Sequence, residues 1–190
     1  MRFKIVGVLA STLLVPGLAM AEFKYTNVEF SFIDVDFDAG PVSVDGDGYR
    51  FSGMYQMNSN AFLHGRWEEH DYGFGIDGTV MEFGAGYRHG LSSNLDLIAT
   101  ASYVDAELGA VGFGSVDDDG LGLGGGVRAQ IAPAFQVEAL LSYVNMDNGG
   151  SDTGVDLLGR YYFNDQYALT VATTFDDNVD TFSVGFRAEF

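Results

Sequence analysis

From Thr181 to the C-terminus, Phe182, Val184, Phe186, Ala188 and Phe190 alternate with Ser183, Gly185, Arg187 and Glu189. A period of two is that of a β-strand, here with one apolar and one polar face. Nine such segments precede it. They are Phe23 to Ile33, Tyr49 to Met57, Ala61 to Glu68, Met81 to Arg88, Leu95 to Tyr103, Leu121 to Gln130, Phe135 to Tyr143, Val155 to Phe163 and Tyr167 to Phe175. An Arg and a Glu on the polar face of a strand this apolar do not suit a soluble sandwich. They suit an antiparallel transmembrane β-barrel, apolar toward lipid and polar toward the lumen. Ten strands are the preferred reading, and eight the alternative, since the first and third segments are the least regular.

The connections support the same reading. Short turns at Asn58-Ser59-Asn60, Leu91 to Asn94, Ala132-Pro133-Ala134 and Asn164-Asp165-Gln166 alternate with longer, acidic segments. The longer ones run Asp34 to Gly48, Glu69 to Thr79, Asp105 to Gly120, Met146 to Thr153 and Asp176 to Asp180. Short periplasmic turns and longer external loops are the asymmetry of outer-membrane barrels. Aromatics such as Phe135, Tyr143, Phe163, Tyr167 and Phe175 stand near the strand ends, where interfacial girdles belong.

The N-terminus predicts export. Arg2 and Lys4 precede an apolar stretch, and Ala19-Met20-Ala21 has the form of a cleavage site. Residues 1–21 are therefore expected to be a cleaved signal peptide and 22–190 a single barrel domain, delivered through the periplasm to the outer membrane.

Signal peptide, alternating spans, turn-and-loop rhythm and terminal Phe190 together resemble the small OmpA/OmpX-like outer-membrane β-barrel family, porin-like in form. In that family the terminal aromatic strand is read by the outer-membrane assembly machinery. The resemblance implies that role for Tyr167, Phe186 and Phe190. It also implies outer-membrane lipid and lipopolysaccharide as surroundings.

Charge narrows the function classes. The chain carries 9 Lys and Arg against 27 Asp and Glu, a net charge of −18. Nothing is basic enough to displace counterions from nucleic acid, so no nucleic-acid partner is expected. There is no Cys, hence no disulfide and no thiol chemistry. Six arginines, Arg50, Arg66, Arg88, Arg128, Arg160 and Arg187, all fall on inward positions, each on a different strand. Inward acids accompany them: Glu29, Glu68, Glu82, Asp96, Glu138, Asp156 and Glu189, with His64 alongside. Two lumens fit this inventory. One is filled by a ladder of Arg–carboxylate pairs; the other is a narrow diffusion channel lined by them. Inward Gly122, Gly124 and Gly126 leave space for such side chains.

Other chemistry finds little support. His70 and Asp71 are adjacent in a predicted loop, His89 faces outward, and no Ser stands in a nucleophile-elbow context, so no enzyme is expected. No resident cofactor is expected. The acidic loops offer hard oxygen ligands for Ca²⁺ or Mg²⁺, with Asp117, Asp118 and Asp119 the weak candidates; no segment matches a calcium-loop template. The function expected is structural or surface-interacting, through acidic external loops, with a narrow channel as the alternative.

Overall fold

The computed structural model describes residues 23–38, 43–176 and 179–190. The expected signal peptide lies outside the described residues. Ten strands run in chain order: β1 (Asn27–Asp38), β2 (Ser43–Gln56), β3 (Ala61–Asp71), β4 (Ile76–Ser92), β5 (Leu95–Ala110), β6 (Gly114–Ala132), β7 (Phe135–Met146), β8 (Gly150–Tyr162), β9 (Tyr167–Phe175) and β10 (Val179–Glu189). Each pairs antiparallel with its chain neighbours, and β1 pairs with β10 to close the barrel. The count is ten, not eight.

Alternation governs the wall. Along β10, Ser183, Gly185, Arg187 and Glu189 are buried while Phe182, Val184 and Phe186 are exposed. The same parity holds in β1, with Asn27, Glu29, Ser31 and Ile33 inside and Val28, Phe30 and Phe32 outside. A face of exposed Phe, Leu and Val is stable only against lipid.

Two of the tight turns are set by Asn side chains. The Asn58 carboxamide oxygen accepts from the backbone N–H of Asn60 and Ala61, each at 2.9 Å. Asn164 does the same for Gln166 and Tyr167, also at 2.9 Å. A carboxamide two residues ahead of the turn replaces a backbone acceptor and lets the chain reverse in few residues.

Two expectations are corrected. First, the longer acidic segments are mostly strand. β5 continues to Ala110 and β6 begins at Gly114, so the predicted Asp105–Gly120 loop is a hairpin extension with a three-residue tip. Ladder hydrogen bonds do not require apolar side chains, so the strands outlast the hydrophobic alternation that marks the membrane. Second, β1 starts at Asn27, and residues 23–26 turn across the inner mouth instead of extending the strand. Phe23 and Tyr25 are buried there with Phe62 and Ile98, and Met54 and Leu140 pack against them.

Candidate functional site: the charged lumen and the outer rim

Every inward arginine has a carboxylate within ion-pair distance. On one side of the lumen Arg50 Nε meets Glu68 at 2.5 Å, and Arg66 bridges Glu68 at 3.4 Å and Glu82 at 2.9 Å. Toward the inner mouth Arg88 meets Asp96 at 3.3 Å. On the other side Glu138 is shared by Arg128 at 2.6 Å and Arg160 at 3.2 Å. Arg187 joins Glu189 at 2.8 Å and Glu29 at 3.5 Å across the β1–β10 closure. Asp156 is satisfied differently, accepting from Ser142 at 3.2 Å and Thr174 at 2.6 Å. Such pairs withstand desolvation only when their hydrogen bonds are well placed; the alternation of ten strands supplies that placement.

Tyr25 ties the inner layer together. Its ring lies 4.4 Å from the guanidinium carbon of Arg128 and 5.1 Å from that of Arg88. Its hydroxyl donates to Asp96 at 3.0 Å. Arg128 is fully buried; among the described residues only its Nε has a hydrogen-bond partner, and the Tyr25 ring lies against its guanidinium. Sequence reasoning missed Tyr25, Phe62 and Ile98. Their signal was present: each is an apolar residue on the inward parity.

Two cavities flank this layer. The outer one, about 290 Å³, is lined by Arg50, Arg66, Glu82, Asp156 and Arg187 among others. The inner one, about 230 Å³, is lined by Lys24, Gln136, Tyr162 and Glu189. They share no lining residue. The inward positions Gln136/Glu138, Arg160/Tyr162 and Arg187/Glu189 step from one cavity to the other. Buried Arg128, Arg160, Arg187 and Glu138 lie near this step, the last three lining the outer cavity. The space beside the β6 glycines goes to neighbours other than arginine. The Ser102 hydroxyl lies where a Gly122 side chain would begin, Thr100 where a Gly124 one would, and the β7 backbone at Ala139 where a Gly126 one would.

The histidines separate. His64 faces the lumen with Nδ1 4.0 Å from Glu82. His70 is not in a loop: it lies in β3, 5% exposed, with Nε2 3.1 Å from Glu68. His89 is outward and exposed.

The Asp117-Asp118-Asp119 run does not converge. It lies on β6, where successive side chains point to opposite faces. Asp117 and Asp119 face outward, and Asp118 turns the other way to cap the β7–β8 tip. It accepts from the Asn148 backbone N–H at 3.1 Å and from the Asn148 side chain at 3.0 Å. Partial loss of solvent pushes the Asp118 carboxyl up, and hydrogen bonds from Asn148, Gly149 and Asp119 outweigh it, so it is held below the usual carboxylate range. No group of three acidic or histidine side chains among the described residues is arranged to hold a metal ion.

At the terminal hairpin, Tyr167 and Phe186 stack on the lipid face with ring centroids 5.6 Å apart. Phe190 lies beyond β10, 71% exposed.

No protein-family model matches the sequence, and no curated protein matches it. Solved structures do resemble the fold. The KdgM porin in complex with disordered oligogalacturonate is 12% identical, with a TM-score of 0.50 over 86% of this chain and 99% of that one. The translocator domain of the autotransporter NalP from Neisseria meningitidis is 10% identical, with a TM-score of 0.50 over 90% of each chain. The fold expected from the sequence, that of the outer-membrane β-barrels, is the fold this chain has.

Proposed function

We propose that this chain is a non-enzymatic integral outer-membrane protein whose lumen is closed by its Arg–carboxylate network and whose activity lies at the acidic outer rim. The pairing of all six inward arginines supports this reading. A conducting constriction needs charges that water and ions can reach, whereas Arg128, Arg160 and Arg187 are each under 5% exposed. Membrane lipid and lipopolysaccharide would then contact the apolar wall. The terminal strand with Tyr167, Phe186 and Phe190 would be the segment read by the assembly machinery.

Planar-bilayer conductance of the refolded barrel tests the closure. The native protein is expected to be silent, and Arg128→Ala, which removes a fully buried member of that network, to show discrete openings. Discrete openings in the native protein would overturn the closed-lumen reading in favour of a narrow diffusion channel.

A further inference from the structure

The β3–β4 and β5–β6 tips repeat one short motif, Gly73-Phe74-Gly75 and Gly112-Phe113-Gly114. All four glycines have positive φ, between 72° and 89°. Phe74 does too, at 54°, the one non-glycine residue to do so among the described residues. A bulky side chain rarely adopts that conformation. Here it carries a ring that meets nothing: Phe74 is 103% exposed and Phe113 93%.

The two tips stand side by side. Val111 N–H donates to the Gly75 carbonyl at 2.8 Å, and Ile76 faces Ala110 in register. Below them the extended β4, β5 and β6 form a blade. On its lumen-side face Leu108 and Val116 lie directly opposite each other, 53% and 73% exposed. Its outer face carries Asp77, Asp105, Glu107, Asp117 and Asp119.

The resident membrane does not account for this apolar surface. Ile76 and Ala110 are seven residues beyond the outward Phe83–Tyr103 pair. At about 3.3 Å per residue they stand roughly 15–20 Å above it, allowing for tilt.

We propose that the twin-Phe tip of this blade is a docking surface for a cationic protein or peptide that offers an apolar strip. Charge complementarity identifies the occupant. The blade's outer face is lined with carboxylates, and every cation from Arg50 onward points into the barrel. A second copy would bring the same negative charge to the contact, and an anionic bilayer would be repelled. A basic partner gains from the acids while its apolar strip covers Phe74 and Phe113 at the tip. This proposal rests on the outer rim being the working face. The conductance result stands whatever happens at the tips, so the two readings fail separately.

The test uses the whole barrel in zwitterionic nanodiscs, with the signal of empty discs subtracted. The probe is a synthetic amphipathic lysine–leucine helix, beside a lysine–serine peptide of equal charge. The expected result is saturable binding of the lysine–leucine peptide, at least about tenfold tighter than lysine–serine. Phe74→Ser/Phe113→Ser should lose about tenfold or more in affinity, as exposed aromatic anchors do on truncation. Glu107→Gln/Asp117→Asn should weaken binding and flatten its salt dependence. Both variants alter exposed positions, and heat-modifiable migration on gels confirms that the barrel forms. Equal binding by native and Phe→Ser proteins overturns the proposal, as does absence of binding to the native one. Sedimentation showing native dimers that the Phe→Ser change dissolves would assign the tips to a second copy. Flotation of the native protein with added lipid vesicles, lost in that variant, would assign them to a bilayer. Either of these outcomes also overturns it.

Discussion

Glu138 is the carboxylate that joins two of the most deeply buried arginines of the lumen. It accepts from both Arg128 and Arg160, and all three are buried. Removing one partner of a buried pair leaves an uncompensated charge, at a cost of about 3–5 kcal/mol. Glu138→Ala strands two. Glu138→Ala is expected to lower the unfolding free energy of the refolded barrel, read from urea titration, by an amount in that range or above it, and Glu138→Gln, which keeps an acceptor, by less. Asp36 is the opposite case, a carboxylate that the fold disfavours. Solvent lost around it comes first, then the hydrogen bond shared with Asp45, then the charges of Asp45, Asp34 and Asp180, and all raise it above the usual carboxylate range. A raised carboxyl binds its proton more readily in the folded state, so ionised Asp36 weakens the fold as pH rises through the window above the ordinary value. This weakening is relieved as pH falls through the raised one. Asp36→Asn should therefore stabilise the barrel against urea at neutral pH, with the gain closing in acid. A gain of equal size at both pH values would show that charge is not its source.

At the scale of strands, the close approach of neighbours is what a side chain most easily breaks. A Cβ at Gly126 would strike the β7 backbone at Ala139, which has no rotamer to change. Gly126→Ala is expected to destabilise the barrel by about 1–3 kcal/mol through overpacking, read as a lower urea midpoint. Gly159→Ala, where a Cβ meets nothing, serves as the control. How far the sequence reached is also clearest here. Strand number, parity and the inward side of all six arginines were legible because lipid and lumen impose opposite polarity on alternate residues. The outer strand ends were not, because above the membrane both faces meet water and the polar alternation carries no sign. The Tyr25 contacts and the Asp118 cap were also beyond reach. Each depends on which distant strand lies opposite, and no local pattern encodes that.

Over the whole molecule, charge is sorted by surface. Cations from Arg50 onward line the interior, while acids occupy the interior and the rim alike. The wall between carries neither sign. The seam that closes the barrel joins Asn27 to Glu189 and Phe30 to Phe186, strands that are about 160 residues apart along the chain. Every other strand pair is a local hairpin. A chain that has formed all nine hairpins is still an open sheet with two bare edges, each able to recruit a stranger. For an unstructured chain, bringing segments that far apart together costs roughly 4–5 kcal/mol of chain entropy from the logarithmic length term, and little is recovered until the first seam contacts form. Arg187 reaches across that seam to Glu29. The ion pair thus works as a latch in time as well as in space, rewarding the slowest search the chain must make and slowing its reversal once the ring is shut.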